Sequence, residues 1–392
     1  MPARTHRTDF SLLSSVEGQV QEGPRPEPGD LLHVPLDGHA ARVECGQAVA
    51  ADQTVAEHPS PDRGDAHAPV DGVVHELSCE HVSIRHQPDA DLPAPPEPAQ
   101  DLAGLDAREL ARALKGLGVD TRGLRPAAWL VVNAMNPEPR VSVHQQIALE
   151  FRESLDAGLD AARTLVRPEE TALVVPSGSA MAFSKCMTVH QKPAHPNGLD
   201  PMAVKAATGR ESPDDAACIG LLELYLMGRA MRTGRPVTET VATVGHVNYR
   251  VLVGTPLRTL LQTAGGTLRN GDRLIMGGPM CGRAAYSPEQ GVPKDLRALS
   301  LVAEDAFPPV DDGPCLNCGE CAMACPARIR PNAIASMAEF RLFDRVRDEH
   351  PLACMECGLC GYHCVARRPL LQYIRMAKQE LLSLPRLPEE AA

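Results

Sequence analysis

The spacing of apolar and polar positions changes several times along the chain. Residues 1–28 are polar and end in the Pro-rich GPRPEPGD, which predicts a flexible stretch with no fold of its own. Short apolar runs broken by turn residues follow, LLHVPL, ARVECGQAVAADQTVAE and APVDGVVHEL, and predict strands from Leu31 to about Gln87. The Pro-rich residues 89–100 carry no periodic apolar positions and predict a linker. From Asp101 the signals alternate. ARELARALKGLG predicts a helix, AAWLVVNAM a buried strand, QQIALEFRESLDAGLDAARTLV a helical stretch and TALVVP another strand. From Val237, VTETVATVG and YRVLVG predict strands, with Thr255 as N-cap and Pro256 as first residue of a helix that Gly265 and Gly266 stop. Near the end, Ile334, Ala338, Leu342 and Val346 step by four after Pro331 and Asn332, predicting one helix of about four turns. LLQYIRMAKQELL predicts a second.

These periods describe a multi-domain α+β chain. Residues 1–28 are the flexible N-terminus and 29–88 a β module, joined by the linker 89–100 to an α/β domain over 101–235. A β-grasp (SLBB-like) domain over 236–300 and a helical, two-cluster ferredoxin-like domain over 305–385 complete it. In the β module, V-x-C-G-Q-x-V and A-P-x-D-G-V-V resemble the two halves of a lipoyl-like barrel-sandwich hybrid, which carries its cofactor on a lysine. No Lys lies between Glu44 and Gly72, so the module is expected to be structural. The glycines of GDRLIMGGPMCG, from Gly271 to Gly282, permit either a tight turn at a domain edge or a close backbone approach to a ligand.

Composition narrows the function classes. A chain of 392 residues with 43% hydrophobic content has apolar material for several domains. A formal charge of -11 speaks against a nucleic-acid binder, which needs clustered Lys and Arg. No secretory signal and no membrane span are read from the sequence, so membrane association is expected through partners. Between Cys315 and Lys378 nine Lys and Arg stand against six Asp and Glu. That surplus makes Arg328, Arg330, Arg367, Arg368 and Arg375 candidates for docking an acidic partner, against the alternative of an ordinary solvated face.

The cysteines carry the chemistry. Cys315-x2-Cys318-x2-Cys321-x3-Cys325-Pro326 recurs as Cys354-x2-Cys357-x2-Cys360-x3-Cys364. Each run matches the bacterial cubane pattern, in which three close thiolates grip one [4Fe-4S] cluster and the fourth crosses to the other. Cys315, Cys318, Cys321 and Cys364 are therefore expected to bind cluster 1, and Cys354, Cys357, Cys360 and Cys325 cluster 2. Gly319 and Gly358 relieve the tight turns. A zinc site would leave the third close cysteine of each run without a role. A disulfide framework would need an oxidising compartment. Cys45, Cys79, Cys186, Cys218 and Cys281 lack ligand spacing and read as buried small hydrophobes. No catalytic residue is expected.

Taken together, VPLDGHAA with APVDGVV, WLVVNAMNPEP, AATGRESP, TGRPVTETVATVG, VGTPLRTLL, IMGGPMCG and both cysteine runs resemble the C subunit of Rnf-type ion-translocating electron transport complexes, from about Leu31 to Leu382. The resemblance implies an iron–sulfur subunit, peripheral on the cytoplasmic side of the inner membrane. Its implied partners are the other subunits of the complex and a ferredoxin or cytochrome as donor or acceptor. Related alternatives are an NADH dehydrogenase subunit that retains FMN and a soluble cobalamin-reductase-like flavoprotein. The family binds FMN and NADH on a glycine loop of the form G-x-G-G-A-G-F-P, where this chain has Leu117-Gly118-Val119-Asp120-Thr121-Arg122-Gly123-Leu124. Of the family's Asn-x-x-Glu-Cys-Glu-Pro, only Asn133, Glu138 and Pro139 match, and of a later flavin-contacting phrase at most Glu223. These departures speak against FMN and NADH binding.

Overall fold

The computed structural model describes residues 10–13, 16, 18–307, 310–311 and 313–383. It divides into two compact units, Met1–Ala303 and Glu304–Ala392.

In the first unit, Leu31–Pro35, His81–His86, Gly72–Leu77 and Ala48–Val49 form an antiparallel sheet in that order, and Ala40–Ala41, Thr54–Glu57 and Ala66–His67 form a second. Alternation in Leu31–Pro35 sends Leu32 and Val34 into a core with Val55, Val74 and Ile84. Residues 89–100 carry neither helix nor strand. The helix Ala107–Gly116 starts where Asp106 accepts the N–H groups of Arg108 and Glu109 in a capping box.

A four-stranded parallel sheet follows, ordered Met187–Gln191, Glu170–Pro176, Trp129–Asn133 and Ala216–Gly220. Leu130 and Val132 pack into one core with the helices Arg152–Val166 and Leu221–Thr233, while Val131 packs into another with Ala203 and Val204 of the helix Asp200–Thr208. Both faces are thus buried, which is why these strands read as continuous apolar runs. The two long helices touch backbone to backbone, since a Cβ on Gly228 would lie 1.6 Å from the Ser154 carbonyl oxygen. A mixed six-stranded sheet of Gln21–Glu22, Val247–Leu252, Glu239–Val244, Ala298–Val302, Arg273–Met276 and Arg283–Ala284 completes the unit.

Several expectations need correction. Residues 1–9, 14, 15 and 17 lie outside the described residues, but the rest of the stretch expected to be flexible is built into the fold. Leu12 is buried, Val20 donates to Glu150 at 2.9 Å, and Gln21–Glu22 pairs in parallel with Val247–Leu252. The stretch from Gln145 to Val166 is interrupted at Phe151, whose ring lies against Tyr225 at 4.6 Å. Pro256 is the N-cap and Leu257 the first helical residue, one position later than expected.

His67 is buried and its Nε2 meets the Gly116 carbonyl at 2.9 Å. Burial, with the Lys294 charge nearby, pushes its pKa down from 6.5 to about 4. Between those values the unfolded chain binds a proton that the folded chain does not, so stability falls as pH drops from about 6.5 through about 4. The loss for this group is about 3 kcal/mol in full. Urea unfolding at pH 7 and pH 4.5 is expected to show a smaller acid loss in His67→Gln than in the parent chain; equal losses would refute the assignment.

Candidate functional site

The second unit holds both cysteine runs in near-identical local structure. Gly319 and Gly358 take φ of 79° and 77° as N-caps of the short helices Glu320–Met323 and Leu359–Tyr362. Asn317 and Glu356 are also left-handed, at 51° and 57°, and each donates its N–H to the sulfur two residues before it at 3.4 Å. These two non-glycine positions had no sequence signal.

Tertiary packing sorts the eight thiols into two sets. One cavity is lined by Cys315, Cys318, Cys321 and Cys364, the other by Cys325, Cys354, Cys357 and Cys360. In each, three cysteines come from one run and the fourth from the other. Among the described residues no group of three His, Cys, Asp or Glu side chains is placed to hold a single metal ion. Each cavity instead presents four soft donors and N–H groups aimed at sulfur, a donor set that suits an iron–sulfur cluster.

The sets differ in exposure. Cys315 and Cys318 are exposed, whereas Cys357 and Cys360 are buried. Burial pushes the Cys357 thiol up to about 11 and Cys360 to about 12, with neighbouring cysteines of the same set contributing. In the free protein these thiols hold their protons at neutral pH, and loading must release them.

The helix expected over Ile334–Val346 is two helices, Pro331–Glu339 and Phe343–Val346. The first ends in a Schellman-type turn, with Arg341 left-handed and the Leu342 N–H bonded to the Met337 carbonyl at 2.9 Å. No glycine marks that stop. Leu370–Ser383 forms as one helix. Three of the five candidate docking arginines are in internal ion pairs, Arg330 with Glu349, Arg368 with Glu339 and Arg375 with Glu356. Arg328 and Arg367 are exposed. Of the remaining cysteines, Cys45 and Cys79 are exposed rather than buried, whereas Cys186 and Cys218 are half-buried against apolar cores and Cys281 is half-buried.

In the first unit, a cavity of about 390 Å³ is lined by Gly118–Leu124 residues, Gly220, Glu223, Lys294 and Arg297. Gly220 ends Ala216–Gly220, which pairs with Trp129–Asn133 where the strand order reverses, the usual ligand position in such sheets. Lys294 and Arg297 reach it from a segment with no local motif. The N–H groups of Gly118, Val119, Thr121 and Leu124 are all bonded, to carbonyls of Lys115, Leu114, Asp62 and Thr121. Lys294 donates to the carbonyls of Asp65 and Gly118, and Arg297 pairs with Glu223 at 2.5 Å. A phosphate needs N–H groups and cations free to meet it. Four of the loop's N–H groups and both of these cations thus already have partners within the protein, while Arg122 lines the cavity with a half-exposed side chain.

The two family-matching polar residues near this strand have partners within the protein. Asn133 donates to Gly198 and Asp200 at 2.9 and 2.8 Å. Glu138 is buried and accepts the N–H groups of Gly278, Met280 and Cys281 at 2.9, 2.9 and 2.6 Å. The turn GGPMCG is thus an anion nest filled by a side chain of its own protein.

A family model described as a 4Fe-4S dicluster domain matches residues 308–365. That segment holds all eight cysteines of the two runs, so the matched domain coincides with the two quartets. Over most of its length the chain is also related to the C subunit of ion-translocating oxidoreductase complexes, the relationship implied by its motifs. It is 29% identical to that protein from Pseudomonas aeruginosa over 89% of this chain, 25% to that from Rhodobacter capsulatus over 80%, and 27% to that from Pectobacterium atrosepticum over 74%. The chain spans 52%, 70% and 45% of the lengths of these relatives. Among solved structures, an NAD+-reducing [NiFe]-hydrogenase in the H2-reduced state matches at a TM-score of 0.46 and 12% identity, over 73% of this chain and 64% of that one. That likeness is too loose to bear on function.

Proposed function

We propose that this chain is the electron-relay subunit of an Rnf-type complex that couples electron transfer to ion translocation. The observation that carries the reading is the pair of cavities, each lined by four cysteines with the fourth supplied by the opposite run. Cys315, Cys318, Cys321 and Cys364 would hold one [4Fe-4S] cluster, and Cys354, Cys357, Cys360 and Cys325 the other. When bound, such clusters supply one-electron storage and transfer. The protein's own part is to orient the thiolates, direct N–H groups at sulfur and shield the second quartet from water.

Relatives named as a subunit of ion-translocating oxidoreductase complexes support a place in such a complex, which this reading puts peripherally on the cytoplasmic side of the inner membrane. Among the described residues no helix is long and apolar enough to cross a membrane. Its partners would be the other subunits and a ferredoxin or cytochrome that exchanges electrons through the exposed first quartet. The strand orders support domains at 29–88 of barrel-sandwich type, 101–235 of degenerate flavin-binding type and 236–300 of β-grasp type, before the cluster domain at 305–385.

The bonded N–H groups of Gly118, Val119, Thr121 and Leu124 support a reading in which electrons arrive singly from another redox protein rather than as hydride. Two measurements on the anaerobically reconstituted chain test this. Iron and acid-labile sulfide are expected at two clusters per chain. Adding FMN and NADH is expected to leave the visible cluster absorbance unbleached, whereas rapid FMN-dependent bleaching would establish the NADH dehydrogenase alternative.

A further inference from the structure

The β module carries a pair of histidines that the cluster chemistry does not use. In the antiparallel pairing of Leu31–Pro35 with His81–His86, His33 stands opposite Ser83 and Pro35 opposite His81. Residues two apart in a strand share a face, so both imidazoles lie on the same side of the sheet. Their ring centres are 5.1 Å apart with planes at 83°, and both line an open cleft of about 720 Å³.

Each ring is tied down at one nitrogen. His33 Nδ1 meets the hydroxyl of the buried Ser83 at 2.8 Å, and His81 Nδ1 meets that of Ser78 at 3.2 Å. The Ser78 hydroxyl oxygen also accepts the N–H groups of Glu80 and His81 at 3.2 and 3.0 Å, which fixes it in the turn before His81–His86. The backbone of His33 is held as well, its N–H donating to the Gly254 carbonyl at 2.7 Å. A proton on Nδ1 leaves the Nε2 lone pair open, and among the described residues neither Nε2 has a hydrogen-bond partner. An imidazole anchored through one nitrogen with the other left bare is the arrangement of a histidine ligand.

The spacing agrees with this. Two imidazoles on one tetrahedral zinc ion, with Zn–N bonds of about 2.0 Å, place their ring centres about 5 Å apart. Among the described residues no third His, Cys, Asp or Glu side chain is placed to join them, so water would fill the remaining positions. We propose that His33 and His81 form a two-histidine site for a divalent cation of the zinc type, which pins the turn at Ser78 to the strand Leu31–Pro35. Imidazole nitrogen selects such an ion over the harder Mg2+ and Ca2+, which take oxygen ligands. The site lies in the first unit and does not depend on the cluster reading.

The test uses the full chain after anaerobic cluster reconstitution, so that the quartets are filled. Zn2+ is supplied by equilibrium dialysis at pH 7, with zinc and iron measured on the same samples. The parent is expected to take up about one zinc ion per chain, with a zinc-edge X-ray absorption spectrum of two imidazoles and oxygen. His33→Gln and His81→Gln are each expected to weaken binding about tenfold or more, and Ser83→Ala about tenfold through loss of the anchor at Nδ1. No zinc uptake, uptake unchanged in both histidine variants, or a parent spectrum of sulfur without imidazole would each overturn the proposal. The parent spectrum decides it even where a variant fails to fold.

Discussion

Replacing Cys364 by serine is expected to remove about half of the bound iron and to remove it from the first cluster, although Cys364 belongs to the second run. The reason is the cavity lining: Cys364 stands with Cys315, Cys318 and Cys321. Cys325→Ser should do the reverse and spare the first cluster. Iron and sulfide analysis with EPR of the two variants separates the cases. Loss in Cys364→Ser confined to the cluster of Cys354, Cys357 and Cys360 would refute the crossed assignment. Because Cys357 and Cys360 are buried, the second cluster should also release iron to a chelator more slowly than the first.

The second large effect is on stability and lies in the first unit. Glu138→Ala removes the carboxylate that accepts three N–H groups from the turn containing Gly278, Met280 and Cys281. Charge-assisted bonds of this kind and the donors they leave unpaired together imply a loss on the order of 4 kcal/mol. For a unit of this size that corresponds to a fall in Tm of roughly 6 °C. Glu138→Gln keeps an acceptor oxygen and should lose less. Differential scanning calorimetry checks both, and an unchanged Tm in Glu138→Ala would show that the nest does not need its anion.

The parallel sheet was readable because both its faces are covered, making its strands continuous apolar runs such as AAWLVVNAM and TALVVP. The helix Ala107–Gly116 was readable because Asp106 and Glu109 cap it locally. The break at Phe340–Leu342 was not, because Arg341 adopts a conformation usually marked by glycine and the apolar spacing runs straight through it. The described part of the N-terminus was not either. Its polar strand Gln21–Glu22 is held by backbone pairing to Val247–Leu252, which leaves no trace in side-chain pattern.

By itself the sequence supplied the proposed donors, since ligand spacing is a local covalent constraint, and their likeness to the bacterial pattern supplied the proposed crossing. It also determined the loss of consecutive small residues at Leu117–Leu124. Tertiary structure alone decided what filled the vacated roles: Lys294 bonded to Gly118, and Glu138 in the nest at Gly278, join residues more than a hundred positions apart. It decided, too, that Arg368 and Arg375 are held by carboxylates of their own unit, whereas Arg330, paired with Glu349, keeps its side chain exposed. The physical reason is the same in each case. A charge or an N–H group takes whichever partner the fold brings within about 3 Å, and composition along the chain does not encode that distance.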